Sequence, residues 1–301
     1  MRRVLAVFIG GLILFICGIS EAAFFQTAGE GVRPMSMGGA FTAVSNDVNA
    51  LWYNPGGLTE LGGKEAGISY AKLFTGITDG GPGRSVGSFA APLGEKVGLG
   101  LGFSWLGVDV SSEFVGAVGV GISMNEKFSV GATAKLLSWS ADGSVDPISG
   151  QQDENFSKSG FTLDVGLLYA VGVEGLGLGV MAKNLIPPNI SQSGGDDGKL
   201  PAEIKVGARY GIRGFLAAVD FDIMDTNKLR VGGEYKLPGT DLFLRGGGMS
   251  SVGAEEGSGG GDVDFGFGYV AQKVIFDYAY VYPLIFNDTS GSHFFSFGLR
   301  F

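Results

Sequence analysis

Hydrophobic and polar residues alternate along most of the chain, from Glu65 to the carboxy-terminal Phe301. Alternation with period two is typical of β-strands, whose side chains point to opposite faces in turn. The alternating stretches are about ten residues long, the length that a tilted strand needs to cross a bilayer. We count fourteen of them, and an even number is expected of a single-chain bacterial barrel. The predicted strands are 65–74, 84–93, 97–107, 113–123, 127–140, 157–171, 175–184, 202–212, 214–223, 228–237, 240–249, 262–270, 273–282 and 292–301.

The predicted connections are alternately short and long. The six short ones are 93–96, 124–127, 172–175, 213–214, 238–239 and 272–273. Membrane barrels have short turns in the periplasm and longer loops outside the cell. The alternation therefore places both ends of the barrel on the periplasmic side.

One face of the later strands is apolar, and the other carries charges of both signs. In 215–223, for example, Val219 and Phe221 alternate with Asp220 and Asp222. Because the bilayer covers an apolar outer face, the charged set is predicted to line the lumen. There it forms either a polar conduit or ligand cage, or a solvated or ion-paired lattice across the strands, and the lattice is favoured. The predicted lumen charges are Lys205, Arg209, Asp220, Asp222, Arg230, Glu234, Lys236, Asp264, Asp277 and Arg300.

Glycine makes up 55 of the 301 residues, and Gly98, Gly100 and Gly102 alternate with leucine inside one predicted strand. A dinucleotide-binding motif needs its glycines in a turn between a strand and a helix, so we exclude one here. Glycine on the inner face allows another backbone to approach closely, which predicts that something occupies the lumen. For these three glycines we hypothesise a lateral opening in the wall. The alternative is packing against a plug, and a continuous strand paired on both sides would exclude the opening.

The amino terminus has the three parts of a secretory signal peptide. Two arginines precede an apolar run over 4–19, and small residues follow it, so we predict a signal peptide over 1–22. The single cysteine, Cys17, lies within it, and the mature chain is expected to have neither a disulfide nor a thiolate site.

The overall composition favours a membrane barrel. Mean hydropathy is +0.26 and charged residues are 17%, against roughly 25% in soluble domains. The net charge of −9, without a basic cluster, argues against a nucleic-acid partner.

Residues that could carry catalysis or bind a metal are few. The single histidine, His293, begins the last predicted strand and is interpreted as a rim residue, because no nucleophile motif accompanies it. One long loop contains Asp142, Asp146, Asp153 and Glu154, whose spacing does not match an EF-hand. We therefore expect no enzyme activity, no cofactor and no metal site.

The region before the first strand lacks the alternation and is predicted to be a separate domain, 23–62, ahead of a barrel over 63–301. Ser45 or Asn46 is a candidate N-cap for one short helix through Leu51 and Trp52. That helix is expected to end before Pro55, because proline disfavours helix in the residue that precedes it.

This region contains Arg33, Met37-Gly38-Gly39-Ala40-Phe41, Asp47, Ala50 and Tyr53-Asn54-Pro55-Gly56-Gly57-Leu58. With these residues the chain resembles the FadL-type superfamily, which includes long-chain fatty acid transporters, aromatic-hydrocarbon channels and the PorV-like proteins of a secretion system. The resemblance implies an all-β fold, a fourteen-stranded antiparallel transmembrane barrel with an N-terminal hatch in its lumen.

The resemblance also implies hatch or gating residues. These are Arg33, Met35, Met37, Gly38, Gly39, Phe41, Asn54, Pro55 and Gly56. The chain departs from the family in two ways. Asn-Pro-Gly replaces the usual Asn-Pro-Ala, and the chain is short for a fatty acid transporter, without an extended apolar loop segment for an outer capture groove.

The leading hypothesis is an outer-membrane channel for passive uptake of small hydrophobic molecules, fatty-acid-like or aromatic, gated by the hatch. The alternative is a PorV-like barrel that does not transport and holds or relays secreted proteins. A third class, a soluble secreted β-protein, predicts extraction without detergent. The expected partners are outer-membrane lipid, a small hydrophobic ligand or detergent in the lumen, and secreted proteins. A lumen lined by apolar residues favours transport, and a lumen packed with charged pairs favours the alternative.

Overall fold

The computed structural model describes eight stretches of the chain. They are 29–76, 81–108, 111–143, 155–190, 199–224, 226–253, 260–285 and 289–301. The predicted signal peptide and the loop residues Asp146, Asp153 and Glu154 lie outside the described residues.

The strands follow one another around a closed antiparallel barrel, which the pairing of the first strand with the last completes. They are β1 (Glu65–Lys72), β2 (Gly83–Leu93), β3 (Val97–Val108), β4 (Ser111–Asn125), β5 (Phe128–Ala141), β6 (Phe156–Ala170), β7 (Leu176–Lys183), β8 (Glu203–Ile212), β9 (Phe215–Ile223), β10 (Asn227–Lys236), β11 (Leu242–Val252), β12 (Gly261–Ala271), β13 (Val274–Pro283) and β14 (Ser292–Arg300). Each predicted strand is present within a few residues, so the predicted fourteen-stranded barrel is confirmed.

The outer face of the wall is apolar and exposed. On β3, Leu101, Phe103 and Trp105 are about half exposed, while Ser104 and Leu106 between and beyond them are buried. A soluble protein would have to cover such a row with a second layer, whereas a bilayer covers it directly. The outer face is therefore the lipid-facing side of the barrel.

The described part of the N-terminal region holds two short helices, α1 (Val32–Met35) and α2 (Ala50–Tyr53), and a 3₁₀ helix over Pro55–Glu60. No helix among the described residues is long and apolar enough to cross a membrane.

The predicted helix is present as α2, but it starts later than expected. Its N-cap residue is Asn49 rather than Ser45 or Asn46. The amide of Asn49 donates to the side chain of Asp47, and the amide of Val48 donates to Glu65 on the wall. Since these two amides are bonded elsewhere, they are not available to extend the helix toward its amino end.

The core of the protein lies inside the barrel. Residues 29–64, which we call the lumen segment, contact the inner faces of strands all around the wall. Met37, Phe41, Leu51 and Leu58 of this segment are fully buried. The apolar side chains of the lumen segment thus replace the solvent that an empty barrel would hold.

Candidate functional site

The lumen segment passes around the inner wall against a glycine on almost every strand that it crosses. At Gly232 of β10 a Cβ atom would overlap the carbonyl oxygen of Met37, and at Gly98 of β3 it would overlap that of Leu58. Only glycine leaves room for a second backbone at this distance. We call nine of the wall glycines that meet the segment closely, at its backbone or at a side chain, the glycine belt: Gly98, Gly121, Gly131, Gly166, Gly179, Gly207, Gly232, Gly247 and Gly266. Its members lie on β3 to β8 and β10 to β12, so the segment is fitted to most of the circumference.

Strand β3 does not provide a lateral opening at Gly98, Gly100 and Gly102. Residues 97–107 of β3 pair with β2 without interruption, and all of β3 pairs with β4. The three glycines face the side chains and backbone of Leu51, Trp52 and Leu58. The hypothesis of an opening at these glycines is therefore wrong for this structure, because their bare faces receive the lumen segment.

The predicted gating residues Met37, Gly38 and Gly39 form a tight turn against β10 and β11. Gly38 and Gly39 have φ angles of 66° and 69°, in the left-handed region that disfavours side chains. A Cβ atom on Gly38 would also lie 2.5 Å from the backbone nitrogen of Gly248. Both glycines are therefore required for the path of the segment.

Arg33 joins the lumen segment to a chain of charges on the wall. Its Nε and Nη2 atoms donate to the two carboxylate oxygens of Glu234 at 2.8 and 2.9 Å, and Nη1 donates to Asp47 at 2.8 Å. Arg245 bridges Glu234 at 2.7 Å and Asp277 at 2.6 Å. Burial alone would lower the pKa of Arg33, but Glu234 and Asp47 raise it above its ordinary value. The five groups form one ion-paired chain from the segment across β10, β11 and β13.

A second group of charges fixes the next part of the segment. One carboxylate oxygen of Asp220 accepts hydrogen bonds from the backbone amides of Phe41 and Thr42, at 2.9 and 2.8 Å. Asp222 pairs with Lys205 at 3.0 Å and with Arg230 at 2.8 Å. Arg230 also donates to the carbonyl oxygen of Gly38 at 3.2 Å. These contacts hold the segment by its backbone rather than by its side chains.

Asn54 anchors the Asn-Pro-Gly turn. Its Nδ2 atom donates to the carbonyl oxygens of Thr42 at 2.8 Å and Leu167 at 2.9 Å, and its Oδ1 atom accepts from Gly56 at 3.1 Å. The side chain thus joins two parts of the segment to β6. The usual Asn-Pro-Ala of the family becomes Asn-Pro-Gly at a position where Pro55 and Gly56 pack against the belt glycine Gly131.

The other predicted gating side chains lie around Tyr53. Phe41 meets Tyr53 edge to face, with ring centroids 5.4 Å apart, and the Arg33 guanidinium lies 5.2 Å from the Phe41 ring centre. The hydroxyl of Tyr53 points to the sulfur of Met35 at 3.8 Å. The nine gating residues are thus in one lumen segment, and their role in gating stays a prediction.

All ten predicted lumen charges point inward, although they do not form one cluster. Arg209 pairs with Glu60 of the lumen segment at 3.0 Å, and Arg300 pairs with Glu65 at 2.6 Å across the closure of the barrel. Lys236 is exposed at the end of β10, and Asp264 is buried on β12.

Sequence reasoning missed Arg245 and Glu65, the two wall residues that complete these pairs. Arg245 lies within a strand that was correctly predicted, on the same face as Phe243. Extending the alternation from the charged strands on either side of β11 would have placed Arg245 in the lumen, directly opposite Glu234 of β10 and one inward position away from the level of Asp264 on β12. Glu65 stands at the first position of its strand, where the face of a residue depends on the strand boundary.

His293 lies on the lipid-facing side, near the outer end of β14. Its Nδ1 atom is 2.8 Å from the hydroxyl oxygen of Tyr278, and the ring of Tyr280 lies beside it at a centroid distance of 5.1 Å. These neighbours are residues of an aromatic girdle, which agrees with the interpretation of His293 as a rim residue.

A cavity of about 320 Å³, lined by charged, polar and apolar residues, remains between the lumen segment and the wall. It lies beside Arg33 and Asp47 and reaches Glu65 and Arg300 at the periplasmic end. On β1 and β14, which carry no glycine of the belt, the wall of the cavity has serine and glycine residues such as Ser69.

The sequence profile of a family described as "Type IX secretion system membrane protein PorP/SprF" matches residues 46–238, which include the second half of the lumen segment and β1 to β10. The chain belongs to the PorP/SprF family. A search of curated proteins gives no match.

Solved structures share the architecture of this PorP/SprF member. The monoaromatic hydrocarbon channel CymD has 16% identity and a TM-score of 0.74, over 92% of this chain and 98% of its own. The toluene transporter TodX of Pseudomonas putida has 15% identity and a TM-score of 0.70, over 91% and 99%. The toluene transporter TbuX of Ralstonia pickettii has 14% identity and a TM-score of 0.68, over 92% and 100%. At these identities the likeness establishes the fold.

The fold agrees with the predicted resemblance to the FadL-type superfamily, and the family match places the chain among membrane proteins of a secretion system. A closed barrel with an apolar lipid-facing belt, in this family, is a protein of the bacterial outer membrane.

Proposed function

We propose that this protein is a closed outer-membrane barrel of the type IX secretion system, which binds proteins of that system and does not pass small molecules. Its family description supports the assignment to secretion. The occupied lumen supports the absence of transport.

The observation that carries this proposal is the ion-paired chain at Arg33. A hydrophobic molecule moving through the barrel must displace the lumen segment and separate Arg33 from Glu234. Removing one partner of a buried charge pair costs ~3–5 kcal/mol, and this segment has further anchors at Asp220 and Asn54.

Two measurements test the proposal. Purified protein in liposomes is expected to take up neither fatty acids nor monoaromatic hydrocarbons faster than empty liposomes. Deletion of the gene is expected to stop the export of type IX cargo, and a plasmid copy to restore it. Uptake by the intact protein, or normal export in the deletion strain, would contradict it.

A second candidate is a channel for passive uptake of small hydrophobic molecules, gated by the lumen segment from Arg33 to Phe41 and at the Asn54-Pro55 turn. The likeness to hydrocarbon channels over more than 90% of the chain favours it. The same liposome assay separates the two candidates. A gated channel takes up hydrocarbons when intact and faster when residues 24–60 are deleted, whereas equal uptake by both counts against gating.

A further inference from the structure

Inward-facing side chains change character halfway along the two strands that close the barrel. On β1, Glu65, Gly67 and Ser69 occupy the periplasmic half, and on β14 the corresponding residues are Arg300, Gly298 and Ser296. Above them are Ala71 on β1, Leu73 directly after β1 and Phe294 on β14, all buried and apolar. On β1 and β14 the wall of this sector is thus polar or bare toward the periplasm and apolar toward the outside, whereas the neighbouring β2 carries the buried Arg84, paired with Glu30 of the lumen segment at 3.2 Å, at the level of Ala71.

The lumen segment repeats the same division in two consecutive residues. Val32 packs into the outer apolar cluster and borders the cavity below it, whereas Arg33 lines the cavity and is not part of the cluster. The boundary between the outer apolar level and the cavity therefore extends from the wall to the lumen segment.

We name the two layers by their residues. The vestibule is the cavity of about 320 Å³ lined by Arg33, Asp47, Glu65, Ser69, Ser296 and Arg300, among others. The apolar seal is the cluster Val32, Met35, Ala71, Leu73, Leu106, Ala279, Val281 and Phe294.

The vestibule is large and polar enough to hold water. At about 30 Å³ for each water in the liquid, its volume corresponds to about ten molecules. Serine hydroxyls and the side chains of Asp47 and Arg300 provide hydrogen-bond partners. The side chain of Arg300 is 44% exposed, so the periplasmic end of the vestibule is accessible to solvent.

We propose that water and small ions enter the vestibule from the periplasm and are stopped by the apolar seal, which is the permeability barrier of this sector. A packed and mainly apolar layer excludes ions because it cannot replace their hydration, and Arg84 at this level already pairs with Glu30. The inference rests on the proposed function, since it explains how a barrel with an incompletely filled lumen stays closed.

Single cysteines on β1 test the position of the barrier. In a Cys17→Ser background, Ser69→Cys introduces a thiol into the vestibule and Ala71→Cys introduces one into the seal, two residues further along the same face. A charged, membrane-impermeant thiol reagent is applied to intact cells and to cells whose periplasm has been opened. We expect Ser69→Cys to react only when the periplasm is open and Ala71→Cys to react in neither case.

A second pair of conservative variants repeats the comparison on other strands. Ser296→Cys on β14 is expected to behave like Ser69→Cys, and Ala279→Cys on β13 like Ala71→Cys. Labelling after denaturation controls for the presence of each thiol. Equal labelling of the two levels, or labelling of Ser69→Cys from outside, would overturn the inference.

Conductance in planar bilayers gives an independent measurement. The double variant Leu73→Ser with Phe294→Ser is expected to show ion-conducting steps that the unaltered protein lacks. The matched control, Phe295→Ser, changes the adjacent lipid-facing residue of β14 and is expected to stay closed. Heat-dependent gel mobility shows that each variant has folded.

The outcomes separate the inference from the proposed function. Conductance or hydrocarbon uptake by the unaltered protein contradicts the closed barrel itself. A closed unaltered protein together with a folded seal variant that remains closed contradicts only the apolar seal.

Discussion

Arg33 and Glu234 are 201 positions apart in the sequence, yet they form a two-point ion pair inside the barrel, at 2.8 and 2.9 Å. The pair joins the lumen segment to the tenth strand of the wall. Both side chains have further charged partners, Asp47 for Arg33 and Arg245 for Glu234. The segment is therefore held as part of the folded core.

Replacing Arg33 should destabilise the barrel. Arg33→Ala leaves Asp47 without its ion pair and Glu234 with Arg245 alone, and loss of a buried charge partner costs ~3–5 kcal/mol. Arg33→Lys should be intermediate, because an ammonium keeps the charge but cannot bond both oxygens in the planar arrangement of a guanidinium. Urea unfolding in lipid vesicles, followed by tryptophan fluorescence, measures both. Lys236→Ala at the exposed end of β10 is the control, and an Arg33→Ala variant as stable as this control would contradict the expectation.

Substitutions of two neighbouring glycines on β10 test whether the lumen segment is fitted to the glycine belt. Gly232 faces the lumen, where a Cβ atom would overlap the carbonyl oxygen of Met37, whereas at Gly233 the nearest atom would be 3.6 Å away. Gly232→Ala should cost ~1–3 kcal/mol through overpacking and should increase protease cleavage within the lumen segment. Gly233→Ala should leave both unchanged or be slightly stabilising. Equal effects of the two substitutions would show that the segment is not fitted to the belt.

The barrel could be predicted from the sequence because the alternation within each strand is enough to assign its residues to the two faces of the wall. Phe221 and Asp222, for example, must lie on opposite sides of a wall wherever that wall is placed. The ion pairs depend instead on which strand lies opposite which part of the lumen segment. Nothing in the local sequence around Arg33 indicates that its partner is Glu234 rather than another inward-facing carboxylate.

The glycines of β3 show a second limit of prediction from the sequence. The alternation placed Gly98, Gly100 and Gly102 on the inner face, and the need for a close neighbour followed from that. An opening and a packed plug both require small residues there, so the pattern could not decide between them. The answer depends on Leu51 and Leu58, which are distant from that strand in the sequence and contact it in the fold.

Asp220 is expected to stabilise the segment through its backbone. Asp220→Ala leaves the amides of Phe41 and Thr42 unbonded in a buried site, at ~1–3 kcal/mol for each unsatisfied group. Asp220→Asn should cost less, because its remaining carbonyl oxygen can accept both bonds. Hydrogen exchange at these two amides is the direct measurement, and unfolding gives the energy. Asp241→Ala in an exposed turn is the control, and unchanged protection of both amides in Asp220→Ala would contradict this role.

Replacing Asn54 tests whether the donor groups of its side chain hold the Asn-Pro-Gly turn in place. Asn54→Asp keeps the size of the side chain, but a carboxylate cannot donate to the carbonyl oxygens of Thr42 and Leu167 and would face both of them. We expect a loss of at least ~1–3 kcal/mol, the cost of an unsatisfied buried group, which is larger for a charged one. The matched control is Asn125→Asp in an exposed turn, where the side chain only accepts from the amide of Lys127 and aspartate can do the same. Unfolding of the two variants in lipid vesicles should therefore differ clearly, and equal stability would mean that the turn is held by its backbone and not by the amide of Asn54.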